Sequence, residues 1–158
     1  TILGKIGWSP GGRAKMGSTV EAIIRKGSGP TFILQQGVKL KEPVMVLFTG
    51  SKLAWNSLSI ATKIGKMTLD PLVVLIPAPT EKAYQELKQQ ALAYLVTRNV
   101  KEPTFRHLEK PYIQGLYQKI HGTGPIVLPD EKVDNLETSL KDILSVFNNP
   151  VLLVKERE

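Results

Sequence analysis

The chain has 158 residues, of which 42% are hydrophobic and 22% charged, and its formal net charge is +7. That composition supports a packed core and does not fit a disordered chain. It contains no cysteine, which excludes disulfide frameworks, thiolate metal sites and cysteine nucleophiles, and fits a reducing, cytoplasmic setting.

Ile2–Gly4 reads as a short apolar strand, followed by a Gly/Pro-rich loop from Gly4 to Gly17. A helix is predicted from about Thr19 to Lys26, with Val20, Ile23 and Ile24 on one face, Ser18 or Thr19 as its cap and Gly27 as its stop. Pro30–Leu34 is a continuous apolar strand, and Gln35–Pro43 reads as a linker. Val44–Phe48 is the next strand, ending in Thr49-Gly50-Ser51. Leu53, Trp55, Leu58, Ala61 and Ile64 then predict a helix closed by Gly65. Pro71–Ile76 is the clearest strand, and Thr80 opens a helix to about Arg98 with Leu87, Ala91, Tyr94 and Leu95 inward. A weaker strand at Pro103–Leu108, a short helix at Tyr112–Ile120 and a strand at Pro125–Leu128 follow. An amphipathic helix at Val133–Phe147 and a strand at Pro150–Val154 end the pattern. Strands that are apolar on both faces and alternate with helices imply a mostly parallel sheet covered on both sides.

Gly27-Ser-Gly-Pro-Thr-Phe-Ile-Leu34 and Phe147-Asn-Asn-Pro-Val-Leu-Leu-Val154 form a weak internal repeat of turn, proline and buried strand. On this alignment residues 1–36 are the tail of one unit, 37–42 a linker and 43–158 a whole second unit. The chain opens on a strand at Thr1, without a Met, so natural sequence is expected to precede it. No apolar stretch approaches the roughly 20 residues of a membrane-spanning helix, and the first residues do not read as a signal peptide.

The positive charge is uneven. Lys5, Arg13, Lys15, Arg25, Lys26, Lys39 and Lys41 face only Glu21 and Glu42 within residues 1–43. A basic bias around a Gly-rich loop favours an anionic ligand, although a solvated basic face explains it equally well. Nucleic acid is not expected as a partner, because no binding motif and no row of stacking aromatics accompanies the charge.

Gly4-Lys-Ile-Gly7-Trp-Ser-Pro-Gly-Gly-Arg-Ala-Lys-Met-Gly17-Ser18-Thr19 follows a strand and opens a helix. Gly allows close backbone approach, and free amides at a helix N-terminus point at phosphate oxygens. Ser18 and Thr19 add hydroxyls, while Arg13 and Lys15 add phosphate-side charge. A tight turn alone would also select Gly. The loop is neither a Walker A nor a Rossmann fingerprint.

Its spacing is Gly, two residues, Gly, nine residues, Gly, Ser, at Gly4, Gly7, Gly17 and Ser18. This resembles the nucleotide signature of ATP-binding universal stress proteins. Val20–Lys26 and Gly29–Leu34 are similar to that family's closing helix and strand. The resemblance implies an open, mostly parallel five-stranded α/β sheet of the adenine nucleotide alpha hydrolase-like type. It also implies last strands that pair with a second unit or a second copy. By this resemblance Gly4, Gly7, Gly17, Ser18 and Thr19 contact ribose and phosphates of ATP or AMP, with or without Mg, and Leu3 lies near the nucleoside. The base-contacting residues would then lie upstream of Thr1. The second unit departs from the pattern: Thr49-Gly50-Ser51 stands where the family often has an acid, and Pro129-Asp130-Glu131 replaces the glycine signature. It is read as a degenerate unit whose acidic loop repels phosphate.

The other candidates are weaker. His107 and His121 lack neighbouring ligands at helical spacing, and no Gly-x-Ser-x-Gly elbow occurs. Asp130-Glu131 reads as a solvated loop sooner than as an acid–base pair. Trp8 either shields a ligand or packs on the sheet edge, and Trp55 is core. No strong catalytic machinery is expected, and ATP hydrolysis would be slow.

Overall fold

The computed structural model describes residues 2–4, 22, 26–34, 42–120, 122, 124–131 and 149–156. Among them, seven strands form one sheet: β1 (Ile2–Gly4), β2 (Thr31–Leu34), β3 (Val44–Leu47), β4 (Leu72–Pro77), β5 (Thr104–Leu108), β6 (Ile126–Pro129) and β7 (Val151–Val154). The helices bounded within the same residues are α1 (Lys52–Thr68), α2 (Glu81–Thr97) and α3 (Tyr112–Lys119). Ala22 and Lys26 are also helical. The predicted helix at 133–147 lies outside the described residues.

The strand order is β1-β2-β7-β6-β3-β4-β5. β3 to β7 run parallel to one another, and β1 runs parallel to β2. The two blocks meet at one antiparallel seam, where Thr31, Phe32 and Ile33 face Leu153, Leu152 and Val151. The expected mostly parallel α/β sheet is therefore present. The block β3–β7 has the expected five strands, and β1 and β2 extend it to seven.

Strand alternation divides the core between the two faces. Val44, Val46, Phe48, Val74 and Ile76 point to one face, where Leu53, Ala54, Leu58 and Ala61 of α1 and Tyr84, Ala91 and Leu95 of α2 cover them. Met45, Leu47, Leu75, Ile126 and Leu128 point to the other, against Tyr112, Leu116 and Ile120 near α3. These central strands are apolar on both faces because both faces are covered. Trp55 packs against the first cluster, edge-on to Phe48 and to Tyr94.

Helix starts follow the sequence closely. The Ser51 hydroxyl accepts the Ala54 N–H at 3.0 Å, and the Thr80 hydroxyl accepts the Ala83 N–H at 3.2 Å. The end of α1 differs from expectation. Gly65 does not stop the helix, which runs to Thr68 and ends on Leu69 in the left-handed region (φ 59°). Gly65 is selected for space instead, since a Cβ there would stand 3.3 Å from the Asp70 carbonyl oxygen. The stop falls on exposed Leu69, a conformation that costs a non-glycine residue about 1–2 kcal/mol.

Candidate functional site

The sequence assigned nucleotide contacts to Leu3, Gly4, Gly7, Gly17, Ser18 and Thr19, with charge from Arg13 and Lys15. Leu3 and Gly4 lie in β1, in register with Ile33 and Leu34 of β2. Gly4 is the last residue of that strand, so the Gly-rich segment departs from the carboxyl end of a parallel strand. In open α/β sheets this is the end at which ligands bind. Gly7, Arg13, Lys15, Gly17, Ser18 and Thr19 lie outside the described residues.

The antiparallel seam reverses the sense of the two blocks. The carboxyl ends of β1 and β2 therefore lie at the sheet end opposite those of β3 to β7. In the five-stranded block the chain leaves β3 toward β4 on one face and arrives at β6 from α3 on the other. The carboxyl ends of neighbouring β3 and β6 thus mark a switch point, the place where such sheets open a crevice.

Here that crevice is bridged by the chain's own side chains. The Thr49 and Ser51 hydroxyls, just after β3, each donate to one carboxylate oxygen of Glu131, just after β6. The Ser51 hydroxyl also caps α1, so the carboxylate sits at a helix N-terminus where negative charge is favoured. The neighbouring acid points elsewhere, with Asp130 Oδ2 lying 3.8 Å from Lys155 Nζ. Asp130 and Glu131 thus engage different partners.

This contact was missed in the sequence because it joins positions 80 and 82 residues apart. The available signal was an acid after one apolar strand and a Thr-Gly-Ser turn after another. Glu131→Ala is expected to lower stability by about 1–2 kcal/mol, read as a shift of the urea midpoint, with Glu131→Gln retaining part of the loss. An unshifted midpoint in Glu131→Ala would show that the bridge contributes nothing.

A second polar cluster lies along the same sheet end. His107 Nδ1 is 3.3 Å from Glu81 Oε2, and its Nε2 is 3.0 Å from the Ala78 carbonyl oxygen. The ring stacks on Tyr84 at 4.6 Å. Burial pushes the Tyr84 phenol above its ordinary pKa, the Glu81 carboxylate adds to that, and Arg106 works against it. His107 is thus a satisfied histidine held at both nitrogens. Among the described residues, no group of three His, Cys, Asp or Glu side chains is placed to hold a metal ion. Among the same residues, no helix is long and apolar enough to cross a membrane.

No family model matches the chain. No curated protein matches it either. Among solved structures, it is similar to a universal stress protein from Archaeoglobus fulgidus, with a TM-score of 0.59 and 17% sequence identity over 87% of this chain. The match covers 54% of that protein, so this chain spans about half its length. At this identity the likeness establishes the fold. The chain has a universal-stress-protein-like fold, an open and mostly parallel α/β sheet with helices on both faces.

Proposed function

We propose that the chain is part of an adenine-nucleotide-binding stress-response or regulatory protein. It binds ATP or AMP, with or without Mg, through the Gly4–Thr19 loop and has no strong catalytic activity. The observation that carries this reading is β1, a strand parallel to β2 that ends on Gly4 and feeds the glycine signature from its carboxyl end. The fold shared with a universal stress protein supports it.

In this reading residues 1–36 are the tail of one unit and residues 43–158 are a second, degenerate unit. Two features support the division. β1 and β2 are parallel neighbours, as are β6 and β7, and β2 meets β7 in antiparallel register. This is the arrangement that a half-turn about an axis normal to the sheet generates. In the second unit, the Glu131 carboxylate takes the position at the α1 N-terminus that a ligand anion would need.

Calorimetry with ATP and AMP tests the proposal on the full-length protein and on the Gly17→Val, Ser18→Ala variant. Binding by the intact protein is expected, weakened about tenfold or more by removal of the loop contacts. Unchanged binding by the variant would overturn the site. Absence of binding to the intact protein would favour a second reading, a non-binding dimerisation or regulatory module such as the cytoplasmic tail of a transporter or sensor. The bridged crevice of β3–β7 is the observation on its side.

A further inference from the structure

We propose a second ligand site at the open edge of the sheet, where a pocket between β5 and α3 binds a compact polyanion of the oligophosphate or multiply phosphorylated small-molecule class. The pocket has a volume of about 490 Å³, within the range of small-ligand sites. Among the described strands, β5 is terminal in the sheet and pairs only with β4. Arg106 is in register with Leu75, a residue of the face that α3 covers, so strand alternation places Arg106 on the α3 side. Lys110 enters from the turn before α3, and Lys119 from the last residue of that helix. Gln114 and Gln118 are one helical turn apart on α3 and line the same wall. Three cations, from β5, the turn and α3, thus line the pocket with two amides, Lys110 Nζ also lying 5.7 Å from the Tyr112 ring centroid, and Glu109 is the acid among the lining residues.

This chemistry suits phosphate oxygens. Guanidinium binds them in a fork, ammonium groups add point charge, and amides give directional hydrogen bonds. His107, held at both ring nitrogens, lies at the rim of the pocket, and a Cβ at Gly115 would make ordinary contact with the Glu109 carbonyl oxygen at 3.4 Å. A short, concave and strongly cationic site favours a small ligand over an extended acidic peptide added to β5. The pocket is independent of the Gly4–Thr19 loop, since β5 and β1 are opposite edges of the sheet.

The test titrates tripolyphosphate into the full-length protein and into the Gly17→Val, Ser18→Ala variant, each with and without R106Q/K119Q. All four are checked for unchanged thermal melting. The loop variant is expected to bind tripolyphosphate, and R106Q/K119Q to weaken that binding at least about tenfold in the loop-variant background, where the first site is removed. Loss of binding in the loop variant alone would assign the anion to the first site and overturn the proposal. In the loop variant, binding indifferent to R106Q/K119Q would also overturn it. So would a glutamate decapeptide that binds more tightly than tripolyphosphate and is lost in R106Q/K119Q, because the site would then take a peptide.

Discussion

Phe48→Ala is expected to cost about 3–5 kcal/mol, the range for removing a fully buried aromatic ring. Phe48 directly follows β3 and is completely inaccessible. Its ring meets Trp55 edge-on with centroids 4.8 Å apart, and its N–H bonds the Leu75 carbonyl at 2.8 Å. Trp55 in turn meets Tyr94 at 5.5 Å, so one ring joins β3, α1 and α2. Truncation leaves a void that none of these can fill without moving an element. Phe48→Leu keeps most of the volume and should cost less than about 1.5 kcal/mol. Urea unfolding of both variants checks this, and a loss below about 1 kcal/mol in Phe48→Ala would show that the site can collapse.

Gly122→Ala is the second large effect, about 2 kcal/mol or more. Gly122 has φ +77°, and a Cβ there would stand 2.3 Å from the Glu42 carbonyl oxygen. Its own carbonyl accepts from Asn149 at 3.3 Å, and the same amide reaches the Gly124 carbonyl at 2.8 Å. The turn cannot shift without disturbing the approaches to β3, β6 and β7. Gly29 provides the comparison. It has φ +85° but nothing within 4 Å of the point where a Cβ would stand, so Gly29→Ala carries only the conformational cost of about 1–2 kcal/mol. Equal urea midpoints for the two variants would show that the steric contact relaxes freely.

The strands were legible because burial on both faces writes itself as an unbroken apolar run, as in Leu72–Pro77. The Ser51 cap of α1 was not singled out, whereas the start of α2 was legible because Thr80 acts locally. The end of α1 was not, because Gly65 is chosen for an approach to Asp70 that sequence spacing does not reveal. The Glu131 bridge and the Arg106–Lys119 pocket escaped for a related reason. Both are made by residues that only the strand order brings together. For the proposed phosphate loop the spacing alone carries the assignment, and of its residues Leu3 and Gly4 fall in β1.

The antiparallel seam also bears on how the sheet is assembled. Its pairs, such as Thr31 with Leu153, are about 120 residues apart in the chain, whereas β1–β2 and β6–β7 join much nearer neighbours. Closing so long a loop has a high entropic cost until both partners are already ordered. The seam should therefore form late, with substitutions at Phe32 or Leu152 mainly speeding unfolding and leaving the folding rate nearly unchanged.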